Sequence, residues 1–341
     1  MLHNIWFLLI AVLWIGYFVL EGFDFGLGIL LPFIGRTDKE RRALINAIGP
    51  VWDGNEVWVL VAGGATFAAF PNWYATLFSG FYLALFLILV ALIVRGVAFE
   101  YHSKRDSVRW RQAWDWAIFF GSAVPALLWG VAFANIVGGV PIDKGMNFTG
   151  NLLTLLNPYG LLGGIVTLTL FMTHGAAYIS LKTEGVLRDR ANKTLVGIGL
   201  VTAVAAVVFL GWTQISSMVA GSAVVSVLAA LTLVGALVAN RLRREGWAFI
   251  GTALTIALAV TALFLHLYPN VMPSSTNAAF NLTIDNASST DYTLKIMTVV
   301  AVIFTPLVLL YQGWTYWVFR KRVSADRIPD VSEFGAPPAS N

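Results

Sequence analysis

The chain is divided into long apolar runs by short loops that are alternately basic and nearly uncharged, and no other property restricts its fold as strongly. A helix that crosses a hydrocarbon core needs roughly 20 mostly apolar residues. Nine such runs are present, at about 5–34, 51–71, 74–100, 113–139, 158–182, 194–214, 219–240, 246–267 and 293–320. Only 12% of the residues are charged and 58% are hydrophobic, against about 25% charged in an ordinary soluble domain. The runs are continuous and do not alternate, which excludes a transmembrane β-barrel. The expectation is an all-α polytopic membrane protein with nine transmembrane helices.

The loop charges orient it. Arg36, Lys39, Arg41 and Arg42 follow the first run, and Lys104, Arg105, Arg109 and Arg111 follow the third. Arg188, Arg190 and Lys193 follow the fifth, and Arg241, Arg243 and Arg244 the seventh. Arg320, Lys321 and Arg322 close the ninth, whereas the other loops have only Lys144 and Lys295 on or near them. The positive-inside rule then places the N-terminus outside and the C-terminus in the cytoplasm, a parity that nine spans satisfy. The first run lacks a basic n-region and an A-x-A site and continues past residue 30, so it reads as a span and not as a cleavable signal. The 13 Trp suit membrane-interface belts. The absence of cysteine excludes disulfides and thiolate metal sites, and a net charge of +4 gathered in loops calls for no nucleic acid.

A faint echo links "FVLEGFDFGLGILLP" in span 1 to "FMTHGAAYISLKTEG" in span 5. It predicts two four-helix bundles plus one extra helix. Residues 1–140 form the first bundle, 141–267 the second, 268–322 an outer loop plus span 9, and 323–341 a disordered cytoplasmic tail. The Asn-, Ser- and Thr-rich loop 268–292 is expected to be ordered by packing or by a partner.

Charges within a bilayer cost roughly 2.5–3.5 kcal/mol each on insertion scales and mark functional sites by default. Here they gather in the first three spans. Glu21 and Asp24 share a face of span 1, with Asp24 about ten residues, or ~15 Å, from the basic end. Asp53 and Glu56 share a face of span 2 near its start. Asp53 can be a first-turn acid favoured by the helix dipole. Alternatively, Asp53 and Glu56 with Asp24 and Glu21 form a ladder for protons entering from the cytoplasm, since buried carboxylates relay protons with water. Arg95 in span 3 is expected to pair with one of these acids. Glu100 and Asp115 are expected to be solvated or interfacial. Trp52, Asn55, Gly22 and Gly26 are assigned to helix packing, the last two as a G-x-x-x-G contact, and the Gly63–Gly64 pair likewise. His174 either hydrogen-bonds a neighbouring helix or lies close to a haem. No pair of histidines has metal-ligand spacing, so no metal site is expected.

Taken together, "EGFDFGLGILLPFIGRTDKERR" and "GPVWDGNEVWVLVAGGATFAAFP" resemble subunit II of the cytochrome bd-type quinol oxidases. The resemblance continues through "WDWAIFFGSAVPALLWGVAFANIVGGVP", "THGAAYISLKTEG", "YPNVMPSST" and "PLVLLYQGWTYW" and covers nearly the whole chain. It implies a subunit of a respiratory complex of the bacterial cytoplasmic membrane that oxidises quinol, reduces dioxygen to water and generates a proton-motive force. It implies an obligate heterodimer with subunit I, which would carry haem b558, haem b595 and haem d, and in some members small single-span accessory subunits. It also implies, in some members, a structural quinone or lipid held by this subunit. The acid of "WDGN", here Asp53, and that of "GFDFG", here Asp24, match the family's proposed proton pathway; Glu56 stands where some members carry Gln. Two other classes compete. A proton-coupled secondary transporter would also carry mid-membrane acids, but matching Gly/Pro breaks in the two halves are missing. A purely structural scaffold would need only that the acids be satisfied.

Overall fold

A computed structural model describes residues 1–328. It is mostly helical. Eight helices among the described residues are long and apolar enough to cross a membrane: α1 (Leu2–Ile34), α5 (Tyr82–Tyr101), α6 (Val108–Gly138), α8 (Pro158–Lys182), α9 (Gly185–Ser216), α10 (Ala220–Arg241), α11 (Glu245–Leu267) and α12 (Asp291–Val318). Shorter helices are α2 (Asp38–Ile48), α3 (Trp52–Ala69), α4 (Pro71–Gly80) and α7 (Leu152–Leu155).

The expected second span is α3, which is not among the eight because Asp53, Asn55 and Glu56 occupy its first turns. The expected third span is two helices. Pro71 opens α4 and disfavours helical backbone at Phe70, which sits at φ −134° and ψ 69°. A bend at Phe81 then separates α4 from α5. The basic segment after α1, expected as a loop, contains α2. Thr37 and Glu40 form a capping box at its start, a threonine-to-glutamate spacing that is visible in "TDKE".

α1 is the centre of the molecule and packs against α3, α6, α8 and α11. α5 lies on α6, and α8, α9, α10 and α11 pack in sequence. The crossing of α1 and α8 needs glycine. A Cβ at Gly26 would sit 1.9 Å from the Phe171 carbonyl oxygen, and one at Gly175 would sit 2.4 Å from the Gly26 carbonyl carbon. Gly22 similarly leaves room for the Phe171 ring. Gly63 and Gly64 differ from the expectation: a Cβ on either would meet nothing within 4 Å. Gly64 faces outward, whereas Gly63 is half-buried and borders a small cavity that Trp14, Thr66 and Trp129 also line.

The segment 268–292 folds on the end opposite the basic one. Its short strands β1 (Asn270–Met272) and β2 (Leu282–Thr283) pair antiparallel. Val271, Met272, Leu282, Ile284 and Ala287 are buried, so packing within the chain orders it. At the basic end, the start of the expected tail is structured. Val323 donates its amide to the Lys182 carbonyl at 2.8 Å and Ile328 is buried, because this segment lies across α2. The rest of the expected tail lies outside the described residues.

Candidate functional site

α1, α3 and α5 bring three acids around one guanidinium. Glu21 and Arg95 are fully buried and in direct contact. The Arg95 Nη2 also meets the Glu56 carboxylate at 2.8 Å, and the Glu56 side chain is 24% exposed. The Phe25 ring lies 4.7 Å from the same guanidinium. Arg95 therefore bridges acids of two helices and lies against an aromatic face, which suits a weakly hydrated planar cation.

Asp24 takes a different partner. Its Oδ2 accepts a hydrogen bond from Asn55 Nδ2 at 2.7 Å, and the same amide nitrogen reaches the Leu20 carbonyl at 3.4 Å. Asn55 Oδ1 accepts from Gln312 Nε2 at 3.1 Å and from the Tyr316 hydroxyl at 2.8 Å. Gln312 Oε1 in turn accepts from Trp58 Nε1 at 2.9 Å. Asn55 is thus a four-way junction joining α1, α3 and α12. A polar residue in "LLYQGWTYW" was the only sequence signal for Gln312, and nothing in the sequence linked it to Asp24.

Asp53 stands apart from the other three acids. It lies in the first turn of α3, exposed, one turn nearer the helix start than Glu56. Trp52 packs on Phe99 with ring centroids 5.0 Å apart.

Of the two acids expected to be solvated or interfacial at the basic end, one differs from expectation. Asp115 is buried because Arg41 and His102 enclose it, at 2.8 and 2.9 Å. Glu100 is exposed. Neighbouring pairs continue this layer: Arg111 with Asp38 at 2.7 Å, Arg190 with Glu40 at 2.7 Å, and Arg188 with Glu245 at 2.6 Å.

His174 is fully buried between α1 and α11. Its Nδ1 lies 2.7 Å from the Thr252 hydroxyl and its Nε2 3.0 Å from the Val19 carbonyl. The carbonyl can only accept, so Nε2 carries the proton, and the Thr252 hydroxyl beside Nδ1 also reaches the Phe249 carbonyl at 2.9 Å.

The model of the family "Cytochrome bd terminal oxidase subunit II" matches residues 2–319. The chain belongs to that family. It is 45% identical over 328 residues to the cytochrome bd ubiquinol oxidase subunit 2 of Bacillus subtilis (strain 168), covering 95% of this chain and 97% of the relative. It is 40% identical over 365 aligned positions to the cytochrome bd-I ubiquinol oxidase subunit 2 of Escherichia coli (strain K12), covering 96% of each. The fold is similar to a chain of the bd oxidase from Geobacillus thermodenitrificans, with a TM-score of 0.77 at 18% identity, over 94% of this chain and 99% of that one. As a subunit II chain it is a component of a membrane oxidoreductase and a multi-pass protein of the bacterial cytoplasmic membrane. Family membership leaves the transporter reading without support.

Haem is a cofactor of cytochrome bd oxidases, and this subunit II chain does not offer it an axial ligand at His174, where both ring nitrogens are engaged. The described residues also contain no group of three or more His, Cys, Asp or Glu side chains able to hold a metal ion.

Proposed function

We propose that the chain supports a haem-bearing subunit I in a quinol:oxygen oxidoreductase and supplies part of the proton path from the cytoplasm to the site of oxygen reduction. In this reading α3 counts as a span, giving nine. α1, α3, α5 and α6 form one four-helix bundle, α8 to α11 the other, and α12 is the extra helix. The N-terminus lies outside and the basic end faces the cytoplasm, as the loop charges favour.

One observation carries the proton role: Glu21, Asp24 and Glu56 gather inside the membrane around a single guanidinium, with exposed Asp53 one turn nearer the basic end. More carboxylates than cations gather in a low-dielectric setting, where a charge without a partner is costly. Glu56, which keeps some solvent access, connects the cluster to the outer face of α3. Asp53 collects protons at the mouth, Glu56 passes them in, and Arg95 holds the cluster together without giving up its own proton. The haems b558, b595 and d supply the oxygen and electron chemistry and belong, in this reading, to subunit I.

The partner's seat is the outer face of α3 and α12. Asp53, Val57, Leu60, Gly64 and Phe67 recur at helical spacing on that face of α3 and are exposed or open. An acid facing lipid is costly, and an uncovered glycine permits a close helix approach. In α12 only Leu294 is buried within the chain. A cavity of about 350 Å³ among α6, α8, α9, α10 and α11 suits the structural quinone or lipid of the family. It is walled by apolar side chains and has one unpartnered hydroxyl, that of Ser226.

Asp53→Asn tests the proton role. The complex should assemble with its full haem spectrum and consume oxygen at least tenfold more slowly with saturating quinol. Wild-type turnover would remove the role.

A further inference from the structure

Asp24 is held through one oxygen only. Oδ2 receives the Asn55 amide, while Oδ1 is buried and has no hydrogen-bond partner among the described residues. The direction of the Asn55 amide therefore decides whether Asp24 meets a donor or an acceptor. That direction is set by a chain that begins at a group with no freedom of its own. The Trp58 indole N–H can only donate, so the Gln312 amide turns its oxygen toward it and its nitrogen toward Asn55. The Tyr316 hydroxyl donates to the same Asn55 oxygen. With two donors on Oδ1, the Asn55 nitrogen must point at Asp24 and the Leu20 carbonyl. A flipped amide would place oxygen against oxygen on one side and N–H against N–H on the other.

The geometry points to Trp58, Gln312 and Tyr316 as positioning residues that act through Asn55 to keep one donor fixed on Asp24 and leave its other oxygen free for a proton. The inference rests on the proton-path reading for its catalytic meaning, but the positioning itself stands on hydrogen-bond directions alone. The chain couples the seating of α12 to the state of Asp24, because two of the three orienting groups belong to α12. Polarisation along such a chain also strengthens its last bond. Space for the first link comes from α1: a Cβ at Gly16 would sit 2.2 Å from the Trp58 ring.

Trp58→Phe tests this, since it removes one N–H three hydrogen bonds away from Asp24 and alters nothing that touches the carboxyl. The assay is the redox-induced infrared difference spectrum of the purified complex, with the Asp24 carboxyl band identified by its loss in Asp24→Asn. A carboxyl band reports the hydrogen bonds its oxygens make. Trp58→Phe and Gln312→Leu should each shift that band, and should lower maximal oxygen uptake severalfold with the KM for quinol unchanged. In the Asp24→Asn background neither should lower turnover further, because residues acting through one group are not additive. A wild-type band in both variants, or full additivity with Asp24→Asn, would overturn the proposal. If either variant fails to assemble, Tyr316→Phe removes one hydroxyl while keeping its ring, and the same band decides. Full turnover in Asp24→Asn with a shifted band in Trp58→Phe would instead end the proton role of Asp24 and leave the positioning intact.

Discussion

Arg95→Met should destabilise the chain more than any other single change at the site. The guanidinium touches Glu21, which like Arg95 itself is fully buried, and Glu56, which keeps some solvent access. Removing one partner of a buried pair costs about 3–5 kcal/mol, since the other charge is left uncompensated. The partly exposed Glu56 pair adds at most ~1 kcal/mol, and the contact with the Phe25 ring about 0.5–1 kcal/mol. The loss of about 3.5–7 kcal/mol corresponds to roughly two and a half to five orders of magnitude in the folded population, at tenfold per 1.4 kcal/mol. The assay is the yield of the two-subunit complex from membranes and the temperature at which its haem absorbance is lost. Arg95→Met should reduce the yield severely. Adding Glu21→Gln removes the orphaned charge and should restore much of it, because a buried pair exchanged for neutral groups of similar volume is often tolerated. Normal yield and melting in Arg95→Met, or no recovery in the double variant, would refute the reasoning.

Other outcomes follow from the same contacts. Gly64→Leu should leave the chain inserted and folded, since nothing of its own lies within 4 Å, but should lower its co-purification with subunit I; undiminished co-purification would clear that face of the partner. His174→Leu should lower thermal stability by about 1–2 kcal/mol through lost hydrogen bonds and leave the haem content per complex unchanged, as a pyridine haemochrome assay would show. Glu40, outside the spans, has a depressed pKa: burial pushes it up, but the Arg190 hydrogen bond and the Arg36 and Thr37 amides more than reverse this. Its contribution is full above the unfolded value of about 4.3 and fades as pH falls through the lower folded value. The stability lost in Glu40→Gln should therefore be greatest near neutral pH and vanish in strong acid.

The spans, their order and the basic loops were legible because lipid imposes one rule, a minimum apolar length, that composition alone can meet. α3 and α4 were harder to place. Asp53, Asn55 and Glu56 lower the hydropathy of α3, and Pro71 with the bend at Phe81 divides a run that looks continuous. The grouping of acids near Arg95 was readable since few positions in a membrane tolerate charge. Which acid takes which partner was not, because it depends on helix rotation. Asp24 looks equivalent to Glu21 in the sequence, but Asn55 meets it before Arg95 can. Asp115 seemed free in a basic segment and is enclosed because α2 folds back and carries Arg41 to it. Gly26 meets the α8 backbone, whereas Gly64 meets nothing of this chain within 4 Å, since a small residue marks a close approach without saying whose.

The last helix is attached in an unusual manner. Trp6 bonds the Leu294 carbonyl and the Thr298 hydroxyl near its start, Gln312 and Tyr316 engage Asn55 further along, and Lys182 caps the Phe319 and Lys321 carbonyls at its end. Leu294 and Gln312 are about 27 Å apart along the axis. Apolar contact gains little between helices in lipid, so these fastenings act as the notches of a key. A slip of one residue turns the helix by about 100° and misaligns all of them together. α12 therefore has a single seated register, and any insertion or deletion within it should be read by the whole site at once.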